Sequence, residues 1–118
     1  MVARPFTSML SLMAKELIKV NEKWTVLRCV REMRKQAENV DKVYTIYVVD
    51  DNEALLGTLS LKKLLLTKEQ TLIKNIYNEK VISVKAHFDD EEVANIMDKY
   101  DLIVLPVIDD LSRLIGRI

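Results

Sequence analysis

The sequence predicts an α/β (α+β) fold built twice, as tandem β-α-β-β-α units, the second ending before its last helix. Three observations carry this. The segment Ile46-Tyr47-Val48-Val49-Asp50-Asp51-Asn52-Glu53-Ala54-Leu55-Leu56-Gly57 recurs as Leu105-Pro106-Val107-Ile108-Asp109-Asp110-Leu111-Ser112-Arg113-Leu114-Ile115-Gly116. Leu17-Ile18-Lys19-Val20 recurs as Val81-Ile82-Ser83-Val84, and an aromatic follows each, Trp24 or Phe88. An amphipathic helical pattern then follows each aromatic.

Taken in order, residues 1–12 form a lead-in, 13–70 the first copy and 71–118 the second. Leu17 to Val20 alternates as a short strand. Thr25 is the expected N-cap of a helix running to about Glu38, with Val26, Leu27, Val30, Met33 and Ala37 on one face. Trp24 precedes it at the hydrophobic-staple position. Gln36 to Lys42 reads as a surface loop with no counterpart in the second copy. The Ile46–Gly57 segment reads as strand, turn, strand, its Asp pair bonding nearby backbone N–H groups. Ser60 to Leu66 should form a short closing helix, and Thr71 to Tyr77 another helical turn or two. In the second copy, Val81 to Val84 is the expected strand. Asp89 caps a helix from Asp90 to Lys99 whose Val93, Ala94, Ile96 and Met97 face inward. Asp89 with Glu92 makes a capping-box pattern. Pro106 opens a strand, where a missing N–H is tolerated. The sequence stops at Ile118, inside the expected last strand, so a closing helix is expected beyond it.

Apolar residues make up 49% of 118, enough for a substantial core, and there are only two glycines and two prolines. Eighteen basic and eighteen acidic residues cancel, so no global charge draws the chain to nucleic acid or anionic lipid. No apolar run reaches the ~18–20 residues of a membrane span. Direct membrane insertion is not expected, and the opening residues lack the apolar core of a signal peptide. The single cysteine, Cys29, aligns with Val93 on an inner helix face and reads as a buried thiol. His87 is the only histidine and reads as a surface residue. No nucleophile–base pair, catalytic metal motif or glycine-rich phosphate loop is present, so a binding module is expected and not an enzyme.

The duplicated unit with its glycine-containing hairpin resembles a tandem CBS-domain pair, a Bateman module. It is similar in particular to the cytosolic CBS pair of MgtE-type magnesium transporters. The residues that carry the likeness are Leu12-Met13-Ala14, Ile46-Tyr47-Val48-Val49-Asp50, Gly57-Thr58-Leu59-Ser60-Leu61, and Asp89 to Ala94 with Lys99-Tyr100-Asp101 and Leu105-Pro106-Val107. The resemblance implies a homodimer on the cytoplasmic side of the membrane, joined to transmembrane and other cytosolic domains. It implies that the pair senses intracellular Mg²⁺ and closes the pore when Mg²⁺ is high. Helix faces carrying Leu64, Leu65, Ile96 and Met97 are expected to be covered in that dimer.

By the same resemblance, Asp89, Glu91 and Asp101 face acidic groups of a neighbouring domain across a weak regulatory Mg²⁺ site. Mg²⁺ takes oxygen ligands in octahedral geometry and keeps several waters, so one or two carboxylates per chain suffice. Two carboxylates ~6 Å apart repel by roughly 3 kcal/mol at an effective dielectric near 20, and an ion between them reverses the sign. Plain structural roles stand beside this: a cap and helix-dipole partner at Asp89, and solvated side chains at Glu91 and Asp101. The alternative implied by CBS pairs in general is an adenine-nucleotide sensor binding ATP or AMP through Thr45, Ser60, Lys62 and Lys63. Ser60 fits the usual pattern, but Lys63 stands where an Asp holds the ribose. A lysine accepts no hydrogen bond, although it can meet a phosphate. Thr45 falls where an aromatic stacks adenine, and a threonine cannot stack. A purely structural dimerisation module is the third reading.

Overall fold

The computed structural model of the chain describes residues 13–38 and 45–118. The first copy contains β1 (Ile18–Asn21), α1 (Val26–Ala37), β2 (Ile46–Val49), β3 (Leu55–Leu59) and α2 (Leu61–Leu66). A single 3-10 turn, Ile73–Asn75, leads to the second copy: β4 (Val84–Lys85), α3 (Asp90–Lys99), β5 (Pro106–Ile108) and β6 (Leu114–Arg117). Each copy forms its own three-stranded sheet, in the orders β1-β2-β3 and β4-β5-β6, with a parallel and then an antiparallel pairing.

The repeat seen in the sequence is a repeat of hydrogen bonds. Asp50 Oδ1 accepts from Asn52 N and Ala54 N at 2.8 and 3.0 Å, and Asp109 Oδ1 accepts from Leu111 N and Arg113 N at 2.9 Å each. The equivalent turn residues Glu53 and Ser112 both take positive φ, 67° and 64°. Both hairpins slip register at the same place, between Val48 and Val49 and between Val107 and Ile108. The two hairpins then pair with each other reciprocally: Leu55 N donates to Ser112 O and Leu114 N to Glu53 O, both at 2.9 Å. That reciprocity is the signature of a local twofold between the copies. Tyr47, Val49 and Leu114, with Leu17 and Leu55 packed on them, form the small apolar cluster at this junction.

The strand expected over Val81–Val84 is corrected to Val84–Lys85. In the first copy the parallel ladder runs four residues, pairing Lys19 with Tyr47. In the second copy Pro106 stands at the position of Tyr47. It has no N–H to donate, and the ladder contracts to two pairs. Val81 and Ile82 are thereby left to line a cavity.

Capping places the helices close to expectation. Thr25 accepts from Arg28 N at 3.2 Å, Ser60 from Lys63 N at 3.3 Å and Asp89 from Glu92 N at 2.8 Å. Three details of the sequence reading are corrected. Gln36 and Ala37 are helical, not loop, because the Gln36 amide bonds both Lys19 N and Lys19 O, at 2.9 and 2.8 Å, along the free edge of β1. The remainder of that expected loop past Glu38, and the lead-in 1–12, lie outside the described residues. Leu27, Ala37 and Ala94, expected on inner faces, are exposed. On α1 full burial goes to Val26 and Cys29, and on α3 to Val93. Leu64, placed among residues awaiting a dimer partner, is only 1% exposed in the first core, and Ile96 and Met97 pack on the second. Of that set Leu65 alone is exposed, beside Leu61 and Leu66.

The copies exchange their leading segments. Ile73, Ile76 and Tyr77 pack on the first core, with Ile73 N donating to Trp24 O, whereas Met13 packs on the second core and Ala14 pairs with Arg117. Asn78 pairs with Thr58 and Ala14 with Arg117 in the same way. Gly57 and Gly116 make these crossings possible. A Cβ on Gly57 would collide with the Asn78 carbonyl, and one on Gly116 would meet Ala14 O at 2.8 Å.

Candidate functional site

Two regions hold the residues singled out in the sequence. The first is α3 and its ends. Asp89, Glu91 and Asp101 are all exposed. Asp89 and Glu91 lie at one end of the ten-residue helix and Asp101 just past the other, a separation of about 15 Å or more at 1.5 Å per residue. Among the described residues no three His, Cys, Asp or Glu side chains stand together as a metal-holding group. The carboxylates are hard oxygen donors of the kind Mg²⁺ takes, and each end offers at most part of a coordination shell.

The two ends are not alike electrostatically. Asp89 sits at the helix N-terminus, where its charge meets the positive end of the dipole and its oxygen caps Glu92 N. Asp101 sits at the negative end, in a left-handed conformation with φ 53°. Leu102 N donates to Met97 O at 2.8 Å and Asp101 N to Asp98 O at 3.3 Å. These two bonds make a Schellman turn, whose left-handed position is usually glycine.

The second region is the cleft between the copies. One cavity of about 430 Å³ is lined by Thr45, Ile46, Thr58, Leu59, Ser60, Leu61 and Asn78. Beside it a cavity of about 240 Å³, sharing Thr45 and Thr58, is lined by Tyr47, Lys80, Val81, Ile82, Leu102, Val104 and Pro106. The structure thus brings Thr45 and Ser60 together. Lys62 and Lys63 line a shallower depression with Ser60, Leu66 and Thr67. Sequence reasoning missed Tyr47, Thr58, Asn78 and Lys80. For Tyr47 and Thr58 a signal existed, since strand alternation puts Tyr47 on the face of Thr45 and the register pairs Tyr47 with Thr58.

Tyr47 is 2% exposed, and its hydroxyl is a buried side-chain atom with no hydrogen-bond partner. Burial pushes its pKa up, opposed by the nearby Thr45 hydroxyl and Arg117, although Thr45 makes no well-formed hydrogen bond to it. Cys29, fully buried in the first core, has its thiol pushed up to about 11 by the same desolvation. His87 is exposed, 3.9 Å from Asp110.

The sequence pattern described as the CBS domain matches residues 10–68 and again 73–118. The chain belongs to the CBS domain family. Its two copies form a CBS pair. The pair is 42% identical over 105 residues to the magnesium transporter MgtE of Thermus thermophilus, covering 89% of this chain and 23% of the relative. It is 35% identical over 106 residues to MgtE of Enterococcus faecalis, covering 90% of this chain and again 23% of the relative. The chain therefore spans less than a quarter of the curated relatives it matches. Among solved structures it is similar to the cytosolic domain of the Mg²⁺ channel MgtE in complex with ATP. There the TM-score is 0.81 at 41% identity, over 91% of this chain and 43% of that one. The soluble part of a magnesium transporter gives 0.82 at 34% identity, over 92% and 42%. Among the described residues no helix is long and apolar enough to cross a membrane.

Proposed function

We propose that this CBS pair is the regulatory module of a magnesium transporter. It works as a homodimer on the cytoplasmic side of the membrane, senses Mg²⁺ and gates the transmembrane pore by rearranging. The observation that carries this reading is the 42% identity to MgtE spanning both copies. The exposure of Asp89, Glu91 and Asp101 supports it, because each is free to meet acidic groups of a neighbouring domain. Without Mg²⁺ the like charges hold the domains apart, and the ion bridges them. A ligand shifts a two-state equilibrium only by its differential affinity for the two states. Several weak sites that exist only in the compact arrangement meet that condition. The module is regulatory and not catalytic.

The test is a Mg²⁺ titration of the transporter's whole cytosolic region, read by protease sensitivity. Mg²⁺ should protect the wild type, and the combined Asp89→Asn, Glu91→Gln and Asp101→Asn variant should lose protection while remaining folded. No response up to tens of millimolar, or an unchanged response in the triple variant, overturns the proposal.

A second reading, adenine-nucleotide sensing, is favoured by the cavity at Thr45 and Ser60 and by the ATP held by the MgtE neighbour. The lining fits poorly. Among the described residues it offers no carboxylate to accept from ribose hydroxyls, and no exposed aromatic face on which a base could stack.

A further inference from the structure

The charges of the chain cancel in sum but not in place. Cys29 of α1 and Leu64 of α2 are buried in one core with Ile46 and Val48, so both helices cover the same face of the first sheet. The other face of that sheet, through Tyr47 and Val49, meets Leu114 of the second copy. The outer sides of α1 and α2 therefore look away from the second copy. α1 exposes Arg28, Arg31, Arg34 and Lys35, whose spacings of three, four and seven residues put them along one side. α2 and the residues after it expose Lys62, Lys63 and Lys68. The two sets adjoin, because Leu27 N donates to Glu69 O at 3.1 Å where α1 begins. Glu32, 3.5 Å from Lys35, is the one acidic residue within either helix. Leu61, Leu65 and Leu66 stand exposed among these cations, at 49%, 67% and 76%. The second copy has the opposite sign: α3 and its ends expose Asp89, Glu91, Glu92, Asp98 and Asp101 against one cation, Lys99.

We propose that the outer face of α1 and α2 docks on an anionic bilayer surface, its cations against the phosphate and carboxylate oxygens of lipid headgroups. The inference rests on the module lying beside a membrane, and not on Mg²⁺ sensing. Cytoplasmic leaflets carry anionic lipid, and each Lys or Arg near such a surface strengthens partitioning about fivefold. Long Lys and Arg stems carry the charge into the headgroup layer while the leucines between them reach the acyl boundary. Nucleic acid offers the same phosphate charge but no apolar layer for the leucines. Electrostatic interactions at physiological ionic strength decay over about 8 Å, so the charge of the touching face decides and the net charge of the chain does not. The acidic second copy, repelled by the same surface, is held away from it, which gives the module one orientation on the bilayer.

The test is co-sedimentation of the chain with phosphatidylcholine vesicles, with or without about 30% phosphatidylserine, in Mg²⁺-free buffer. The chain should pellet with the anionic vesicles and not with the neutral ones, and salt of about 0.5 M should release it. Arg31→Gln should weaken partitioning about fivefold, and the combined Arg31→Gln, Arg34→Gln and Lys35→Gln variant about a hundredfold. Circular dichroism of these exposed-site variants should match the wild type. The double variant Arg31→Lys and Arg34→Lys keeps both charges and should bind as the wild type does. Lys99→Gln removes the same charge from the second copy and should leave partitioning unaltered. Equal binding to neutral vesicles, tighter binding to a DNA duplex, or full binding by the triple variant overturns the proposal. So does self-association of the chain that the triple variant abolishes, with no vesicle binding. Because Mg²⁺ is absent throughout, failure here leaves ion sensing standing, and a failed Mg²⁺ titration leaves the vesicle result standing.

Discussion

Alanine at Gly57 should destabilise the fold by about 1–3 kcal/mol, and the structure says why. The new Cβ would run into the Asn78 carbonyl oxygen, with Tyr77 Cδ2 at 2.7 Å and the Asn78 carbonyl carbon at 3.0 Å. Two of these atoms are backbone. The same carbonyl accepts from Thr58 N at 2.9 Å while Asn78 N donates to Thr58 O at 2.8 Å, so the segment cannot retreat without opening both bonds. Accepting the overlap costs about 1–3 kcal/mol. Opening the pair forfeits two hydrogen bonds of about 0.5–1.5 kcal/mol each. Reduced entropy of the unfolded chain offsets up to about 1 kcal/mol. Gly116→Ala is the internal control. Two of its three close neighbours are Met13 Cγ and Sδ, at 2.6 and 2.8 Å, the end of a flexible side chain that can swing away. It should cost less than Gly57→Ala. Urea denaturation measures both, with an unchanged m-value confirming that the folded state remains compact. A Gly57→Ala variant within about 0.5 kcal/mol of wild type, or a reversed order, refutes the reasoning that backbone exchange between the copies holds the pair together.

Two further predictions follow from ionisation. Asp51 is held below the usual carboxylate range by a hydrogen bond from Lys23, with help from Asn21. At Asp109 burial works to raise the pKa, but the Arg113 N–H and guanidinium and the Leu111 N–H outweigh it and hold it low. Both groups bind a proton more readily in the unfolded chain. Their stabilisation is present above the unfolded carboxylate pKa of about 4 and is lost as pH falls through the folded values. Acid denaturation should therefore shift to higher pH in Asp51→Asn and Asp109→Asn, and a stability insensitive to pH below about 4 would contradict this. At Cys29 the raised pKa and full burial predict no reaction with a thiol-directed disulfide reagent at pH 8 until denaturant is added. Immediate labelling would show the first core to be open.

Much of the fold was legible because its signals are local. The bounds of α3 follow from Asp89 as cap and from apolar residues at helical spacing. The two turns follow from the repeated Asp, whose carboxylate bonds the N–H groups two and four residues on. What was not legible is tertiary. Nothing in the pattern of Leu64-Leu65-Leu66 says that only Leu64 turns into the core. The crossing of residues 71–78 onto the first copy is set by where the glycines allow backbone approach, so Asn78 could not be read as part of the Thr45–Ser60 cavity. The replacement of Tyr47 by Pro106 was visible as a difference between repeats. Its consequence, a shortened ladder that leaves Val81 and Ile82 to line the cleft, needed the register.

Asp101 gives the sharpest separation between a carboxylate kept for structure and one kept for binding. Asp89 is explained twice without any ligand, as a cap and as an anion at the positive end of α3. Asp101 is locally unfavourable on both counts, because it holds a left-handed conformation that suits glycine or asparagine and puts negative charge at the negative end of the helix. Residues that break a local rule without local compensation concentrate at functional sites. Asp101→Asn keeps tolerance of the left-handed turn and removes the charge, so it should stabilise the free chain by about 0.3–1 kcal/mol. It should at the same time weaken Mg²⁺ protection of the full cytosolic region. Asp89→Ala should show the opposite balance for stability, losing about 1 kcal/mol of capping in the free chain already without Mg²⁺. Denaturation of the two variants with and without Mg²⁺ separates the roles. If Asp101→Asn destabilises the chain, or leaves its Mg²⁺ response intact, the strained carboxylate has no part in ion sensing and the proposed site must be built without it.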